Sequence, residues 1–138
     1  SVYCPGFTLG QDMRDKNLDY DLLRKIFHEW KTISPYFYGD FHPLTEYTLR
    51  DDAWIGWQFH DDNVQEGFVQ LFRHAAAPDQ TRNLKFQGLD RNTIYIIQNM
   101  DQDQPVLMSG YSLMNEGLAV DINEKPGSAL LVYKKVKE

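Results

Sequence analysis

The chain is short of cysteine, of basic charge and of long apolar runs, and each shortage removes a class of protein. Its one cysteine, Cys4, can close no internal disulfide and cannot build a thiolate metal site, so cysteine chemistry leaves the redox compartment open. No apolar run approaches the roughly 20 residues of a membrane-spanning helix, and no segment pairs a basic start with an apolar stretch. With 14 basic against 20 acidic side chains the net charge is -6, which repels phosphate backbones and anionic headgroups. Nucleic acid and membrane are therefore excluded as expected partners. There is no GxSxG elbow, no HExxH pair, no phosphate-cradling glycine loop and no partner arrangement that would activate Cys4. No metal, cofactor or catalytic residue is expected. The chain also begins at Ser1 rather than Met, the expectation being a processed chain or a piece of a longer one, so a missing leader carries no information.

What is present is the composition of one folded domain. The 138 residues are 42% hydrophobic, 25% charged and 14% aromatic, with 8 Phe, 8 Tyr and 3 Trp. A chain of this length can bury roughly two-thirds of its unfolded surface in one core. It is too short for a complete (β/α)8 barrel, which needs about 250 residues.

Between Asn17 and Ile33 the residues Leu22, Leu23, Ile26, Phe27, Trp30 and Ile33 recur at three- and four-residue steps, which predicts an amphipathic helix over about 19–33. Asp19 or Asn17 suits its N-cap, and Ser34-Pro35 its stop. No other segment carries a helical pattern. After Leu44 the period changes to two. Strands are expected at 53–59, 67–73, 83–87, 93–98, 106–109, 118–122 and 128–136, separated by Asp61-Asp62-Asn63, Gly88-Leu89-Asp90, 101–104 and Lys125-Pro126-Gly127. The expected fold is mainly β, an antiparallel β-sandwich of about seven strands with one N-terminal amphipathic α-helix packed on it. Ala53, Ile55, Trp57 and Phe59 share one face, with Trp57 assigned to the core. Strand 67–73 has apolar residues on both faces, Phe68 and Phe72 against Val69 and Leu71, so its outer face needs a cover. The helix carrying Trp30 is the candidate inside this chain, and an absent domain is the candidate outside it.

The chemistry-bearing residues leave alternatives open. His28, His42, His60 and His74 lie on different elements, and His42 reads as a hydrogen-bonded structural side chain in a loop before Pro43. Asp51-Asp52 and Asp61-Asp62 read as turn formers around the first hairpin. The densest segment, 36–44, brings Tyr36, Tyr38, Asp40 and His42 together. With Trp54 these form either a sugar-binding platform, rings stacking on sugar C–H faces while the carboxylate takes hydroxyls, or a buried seam between helix and sandwich.

The order of segments adds a resemblance. The YGD-x-x-PL turn at Tyr38–Leu44, the W-x-x-x-Q-F strand at Trp54–Phe59, the Gly88-Leu89-Asp90 turn, and Ser109-Gly110 followed by Leu113-Met114 and Gly117-Leu118 resemble the C-terminal end of bacterial alpha-galactosidases of glycoside hydrolase family thirty-six, from about Asp19 onward. The resemblance implies a non-catalytic C-terminal domain that covers and stabilises a (β/α)8 barrel. Residues 1–44 would then be the end of that barrel plus a linker, and 45–138 the sandwich. The barrel is the implied partner, with terminal alpha-galactosides the substrates of the whole. The two aspartates of the implied retaining mechanism, about 5 Å apart, belong to motifs with no match here, so no catalytic residue is carried over. The rival readings are a carbohydrate-binding module for galactosides and a free-standing interaction domain that dimerises through the outside of the first hairpin.

Overall fold

In the computed structural model, which describes residues 2–8, 10–12 and 14–137, eight strands form two antiparallel sheets beside two α-helices. Helix α1 is Tyr20–Ile33. Asp19 caps it, accepting from the backbone N–H groups of Asp21 and Leu22 at 3.1 and 2.9 Å, and Asp21 sits at the positive end of the dipole. Pro35 does end the α-helix, but the chain then tightens into a 3-10 helix, Ser34–Tyr38, rather than extending. Proline has no N–H to lose in a first turn, and Ser34 keeps helical angles because its own N–H still bonds Trp30 O.

The strands are β1 (Asp40–Pro43), β2 (Trp54–Asp61), β3 (Glu66–Arg73), β4 (Thr81–Leu84), β5 (Ile94–Asn99), β6 (Val106–Ser109), β7 (Leu118–Asp121) and β8 (Gly127–Lys135). The large sheet runs β1-β2-β3-β8-β5-β6, and β4 pairs with β7 in the second layer. The fold is thus the mainly β antiparallel sandwich with a helix packed on it that the periodicity implies. It has one strand more than expected, because segment 40–43 pairs with β2 instead of forming a loop. Pro43 is compatible with this, since β1 is an edge strand and needs no N–H on its outer side. A short helix α2, Gly110–Asn115, was not expected either. Ser109 caps it by accepting from Ser112 N at 3.1 Å.

Two apolar clusters lie on opposite faces of the large sheet. The sandwich interior is built from Val69 and Leu71 of β3, Leu131 and Tyr133 of β8, and Tyr95 of β5, closed by Leu84, Leu113 and Val120 of the second layer. On the other face Phe68, Leu130 and Val132 meet Ile33 and Tyr36, with Trp30, Phe37 and Phe59 partly buried around them. The rings of Phe37, Phe59 and Phe68 stand 5.0 to 5.3 Å apart, within the range for favourable aromatic pairs. The cover demanded by the two-faced β3 strand is therefore α1 and its 3-10 extension.

One side-chain assignment is reversed. The β2 alternation is as expected, but Trp54, Gly56, Gln58 and His60 face the sandwich interior, while Ile55, Trp57 and Phe59 are half-buried on the helix side. Trp57 is not in the sandwich core. It leans on Phe72 at 5.3 Å and donates to Gln70 Oε1 at 3.1 Å. Apolar weight points to the wrong face here because the polar residues on the inner face are hydrogen-bonded, which removes the penalty on their burial.

Phe68 is fully buried beneath the helix. Phe68→Ala is expected to cost about 3–5 kcal/mol of unfolding free energy in a urea titration, the range for truncating a large core aromatic. A loss below about 1 kcal/mol would show that α1 does not seal this face.

Candidate functional site

The five residues singled out from sequence divide between the two faces and the rim of the large sheet. Tyr36, 7% exposed, lies in the helix-side cluster and donates its hydroxyl to Glu66 Oε2 at 2.6 Å. Its phenol is pushed above its ordinary pKa, first by burial and then by that carboxylate. Trp54, 6% exposed, lies in the opposite cluster. The guanidinium carbon of Arg73 is 5.9 Å from its ring centroid. Tyr38 is 93% exposed at the end of the 3-10 helix, and Asp40 is exposed at the start of β1. His42 is half-buried. The structure therefore brings Asp40 and His42 together on one strand face and leaves Tyr36 and Trp54 in separate interiors.

His42 lies in a strand rather than a loop, and its Nε2 is buried with no hydrogen-bond partner. It stands opposite Gln58, while Asp40 stands opposite His60, so all four side chains share a face of the β1–β2 ladder. Above them lies a polar network that single-residue reading missed. Gln58, fully buried, makes a two-point pair with the backbone of Gln87, accepting from its N–H and donating to its C=O, both at 2.8 Å. Gln58 also donates to Tyr133 Oη at 2.8 Å, and His60 Nδ1 lies 2.9 Å from the same oxygen. Burial holds the Tyr133 hydroxyl protonated by driving its pKa up, and lowers that of His60 by disfavouring the charged ring. Nearby, Tyr95 donates its hydroxyl to Gln65 and accepts from Asp90 N at 3.0 Å. The only trace of this network in the sequence is polar residues at 58 and 60 in an otherwise apolar strand.

Arg73 is a further buried polar residue that sequence reading passed over. It donates from Nη1 to Ile122 O at 2.7 Å and Asn123 O at 3.3 Å, and from Nη2 to Ala77 O at 3.2 Å and Pro78 O at 3.4 Å. Carbonyl dipoles rather than a carboxylate satisfy its charge. The carboxylates near the first hairpin serve the local backbone or neighbouring side chains. Asp61 accepts from Asn63 N at 3.0 Å, and Asp52 pairs with Arg50. Asp90 similarly accepts from Asn92 N at 3.0 Å. Among the described residues no group of three or more His, Cys, Asp or Glu is placed to hold a metal ion, and no helix is long and apolar enough to cross a membrane. A groove of about 630 Å3 runs past Trp54 between Thr45, Glu46, Arg50, Asp52 and Arg82.

Residues 54–133, most of the sandwich, match the family described as the glycosyl hydrolase family 36 C-terminal domain. The chain belongs to that family. No curated protein sequence matches it. Solved structures share its fold. The alpha-galactosidase from Lactobacillus brevis is 24% identical with a TM-score of 0.70, over 91% of this chain and 18% of that one. The alpha-galactosidases AgaA and AgaB from Geobacillus stearothermophilus, both 21% identical, give 0.72 and 0.68 over 89% and 88% of this chain and 17% and 16% of theirs. This family 36 domain thus spans less than a fifth of the chains it resembles. The W-x-x-x-Q-F strand and the Gly88-Leu89-Asp90 turn that carried the resemblance meet in the Gln58–Gln87 pair just described, so the motif residues hold strand β2 to the loop that closes the interior.

Gln58→Leu keeps the volume but leaves Gln87 N–H and C=O without their partner and removes one of the hydrogen bonds at Tyr133 Oη, which keeps His60 Nδ1. It is expected to cost about 1–3 kcal/mol in chemical denaturation, whereas an exposed polar-to-apolar change stays near 0.5 kcal/mol.

Proposed function

We propose that this family 36 domain is the non-catalytic C-terminal part of an alpha-galactosidase that acts on terminal alpha-galactosides, and that it covers and stabilises the (β/α)8 barrel preceding it in the polypeptide. In this reading residues 1–44 contain the final barrel helix and the linker, and 45–138 the sandwich. The observation that carries it is the surface of α1. One stripe of the helix faces the large sheet and is sealed onto it through Ile26 and Ile33, yet Leu22 at the N-terminal end of that stripe remains 51% exposed and Phe27, stacked on Trp30 at its flank, 47%. Apolar side chains left half exposed at the end and flank of a helix already packed on its inner side call for a second neighbour. The family's description as a C-terminal domain and the length of the similar structures, several times that of this chain, support an N-terminal neighbour. The engagement of Asp19, Asp61 and Asp90 with local backbone and of Asp52 with Arg50 supports a structural rather than catalytic role for these carboxylates.

Two measurements test this. The 138-residue chain is expected to release no nitrophenol from nitrophenyl alpha-galactoside above buffer background, and turnover free of contaminating enzyme would overturn the reading. In a polypeptide that carries the barrel ahead of this chain, Leu22→Asp is expected to lower Tm and reduce alpha-galactosidase activity together. In the isolated chain the same change lies on the surface and is expected to stay within about 0.5 kcal/mol. Equal, negligible effects in both contexts would mean that nothing covers the stripe.

A second reading, sugar binding, is favoured by Tyr38 and Phe41, 93% and 56% exposed on either side of the exposed Asp40. It predicts heat on calorimetric titration with galactose, melibiose or raffinose at millimolar concentration, abolished by Tyr38→Ala. No heat with any of the three sugars removes it.

A further inference from the structure

His42 and His60 are chemistry-bearing residues to which the covering role of the domain gives no task. Their Nε2 atoms are both buried, and neither has a hydrogen-bond partner. The two rings converge beneath the turn at Gly88. That residue has φ +72°, and a Cβ there would stand 3.1 Å from His42 Nε2 and 3.5 Å from His60 Cδ2, so the turn closes on the imidazoles because it has no side chain. His60 is 1% exposed, and its Nδ1 is tied to Tyr133 Oη. His42 belongs to edge strand β1, which joins the 3-10 helix to the sandwich and pairs only with β2.

We propose that the juxtaposition of His42 and His60 under the Gly88 turn is an acid-released latch that holds β1 and the turn on the sandwich while His60 is neutral and lets them open when His60 gains a proton. A protonated His60 would carry an N–H at each nitrogen, but only Nδ1 has a partner. Its charge would also face His42 in a water-poor site. The groups around it are Asp40 from β1, Asp61 from the end of β2, Asp62 from the following turn with Oδ1 4.0 Å from His60 Nε2, and His42 itself. Tyr133 from β8 stays neutral. The three carboxylates favour a charged ring, while burial and His42 oppose it, and burial is the largest influence. The direction of the pH effect follows. The closed form holds His60 neutral while the open form titrates near the ordinary histidine value of about 6.5, so the closing free energy is intact above that pH and declines below it.

Hydrogen exchange of the 138-residue chain, corrected for the intrinsic pH dependence of exchange, reads the latch directly. Between pH 7.0 and 5.5, amide protection at 40–42 and 86–89 is expected to fall about fivefold to tenfold, while the β3–β8 ladder keeps its protection. His60→Asn can keep the bond to Tyr133 and has no proton to gain, so its protection at these amides is expected to change less than twofold. His42→Gln removes the neighbouring imidazole, raises the titration point of His60 and so reduces the loss at pH 5.5. Constant protection in the wild-type chain overturns the proposal. So does a loss shared equally by β3–β8, or an undiminished loss in both variants.

Discussion

Strand β3 cannot be wetted on either side. Its register places Val69 and Leu71 against Leu131 and Ala129 on one face, and Phe68 against Val132 on the other. A strand with apolar residues on both faces needs a layer above and a layer below. The β4–β7 pair with α2 supplies one, and α1 with the 3-10 helix supplies the other. The remaining architecture follows from this requirement. Helix α1 must lie against β3 and β8, the chain must return along β1 to the sheet edge, and the long return from β3 to β8 must pass through the second layer.

The two layers are fastened differently. The helix side is held by aromatic contact, Phe37, Phe59 and Phe68 meeting near 5 Å. The helix side adds side-chain pairs, Tyr36 to Glu66 and Trp57 to Gln70, whereas the polar contacts of the interior side grip backbone, Gln58 at Gln87 and Arg73 at the carbonyls of 77–78 and 122–123. Hydrogen bonds of this kind fix one arrangement, because each misaligned partner would be left buried and unpaired. Two of the segments that carry the resemblance, 54–59 and 88–90, lie at and beside the Gln58–Gln87 contact.

The same chemistry explains how the candidate residues were distributed. Aromatic residues close together in sequence, as in 36–41, need not share an environment. In the 3-10 helix Tyr36 turns into the cluster while Tyr38 faces solvent, and β1 then alternates. Proximity along the chain drew Tyr36, Tyr38, Asp40 and His42 into one list, and local geometry placed them in different surroundings.

The sequence by itself determined the local periods and their ends. It specified the α1 stripe from Leu22 to Ile33, a cap at Asn17 or Asp19, the alternation of β2 and β3, the need to cover Phe68, and the order of motifs that carries the resemblance to the family. These rest on contacts within a few residues, so they are written in spacing. The tertiary structure decided which face of β2 lies inside, because alternation defines two faces without ranking them, and the hydrogen bonds of Gln58 and His60 come from residues 29 and 73 positions away. It also decided that 40–43 becomes a strand, since only pairing with β2 makes it one, and that 110–115 becomes a helix, since Gly110 must pass so close to Asp90 that a Cβ would meet its carbonyl oxygen. The meeting of His42 and His60 belongs to the same class, for 18 residues separate them and the β1–β2 register alone puts them on one face.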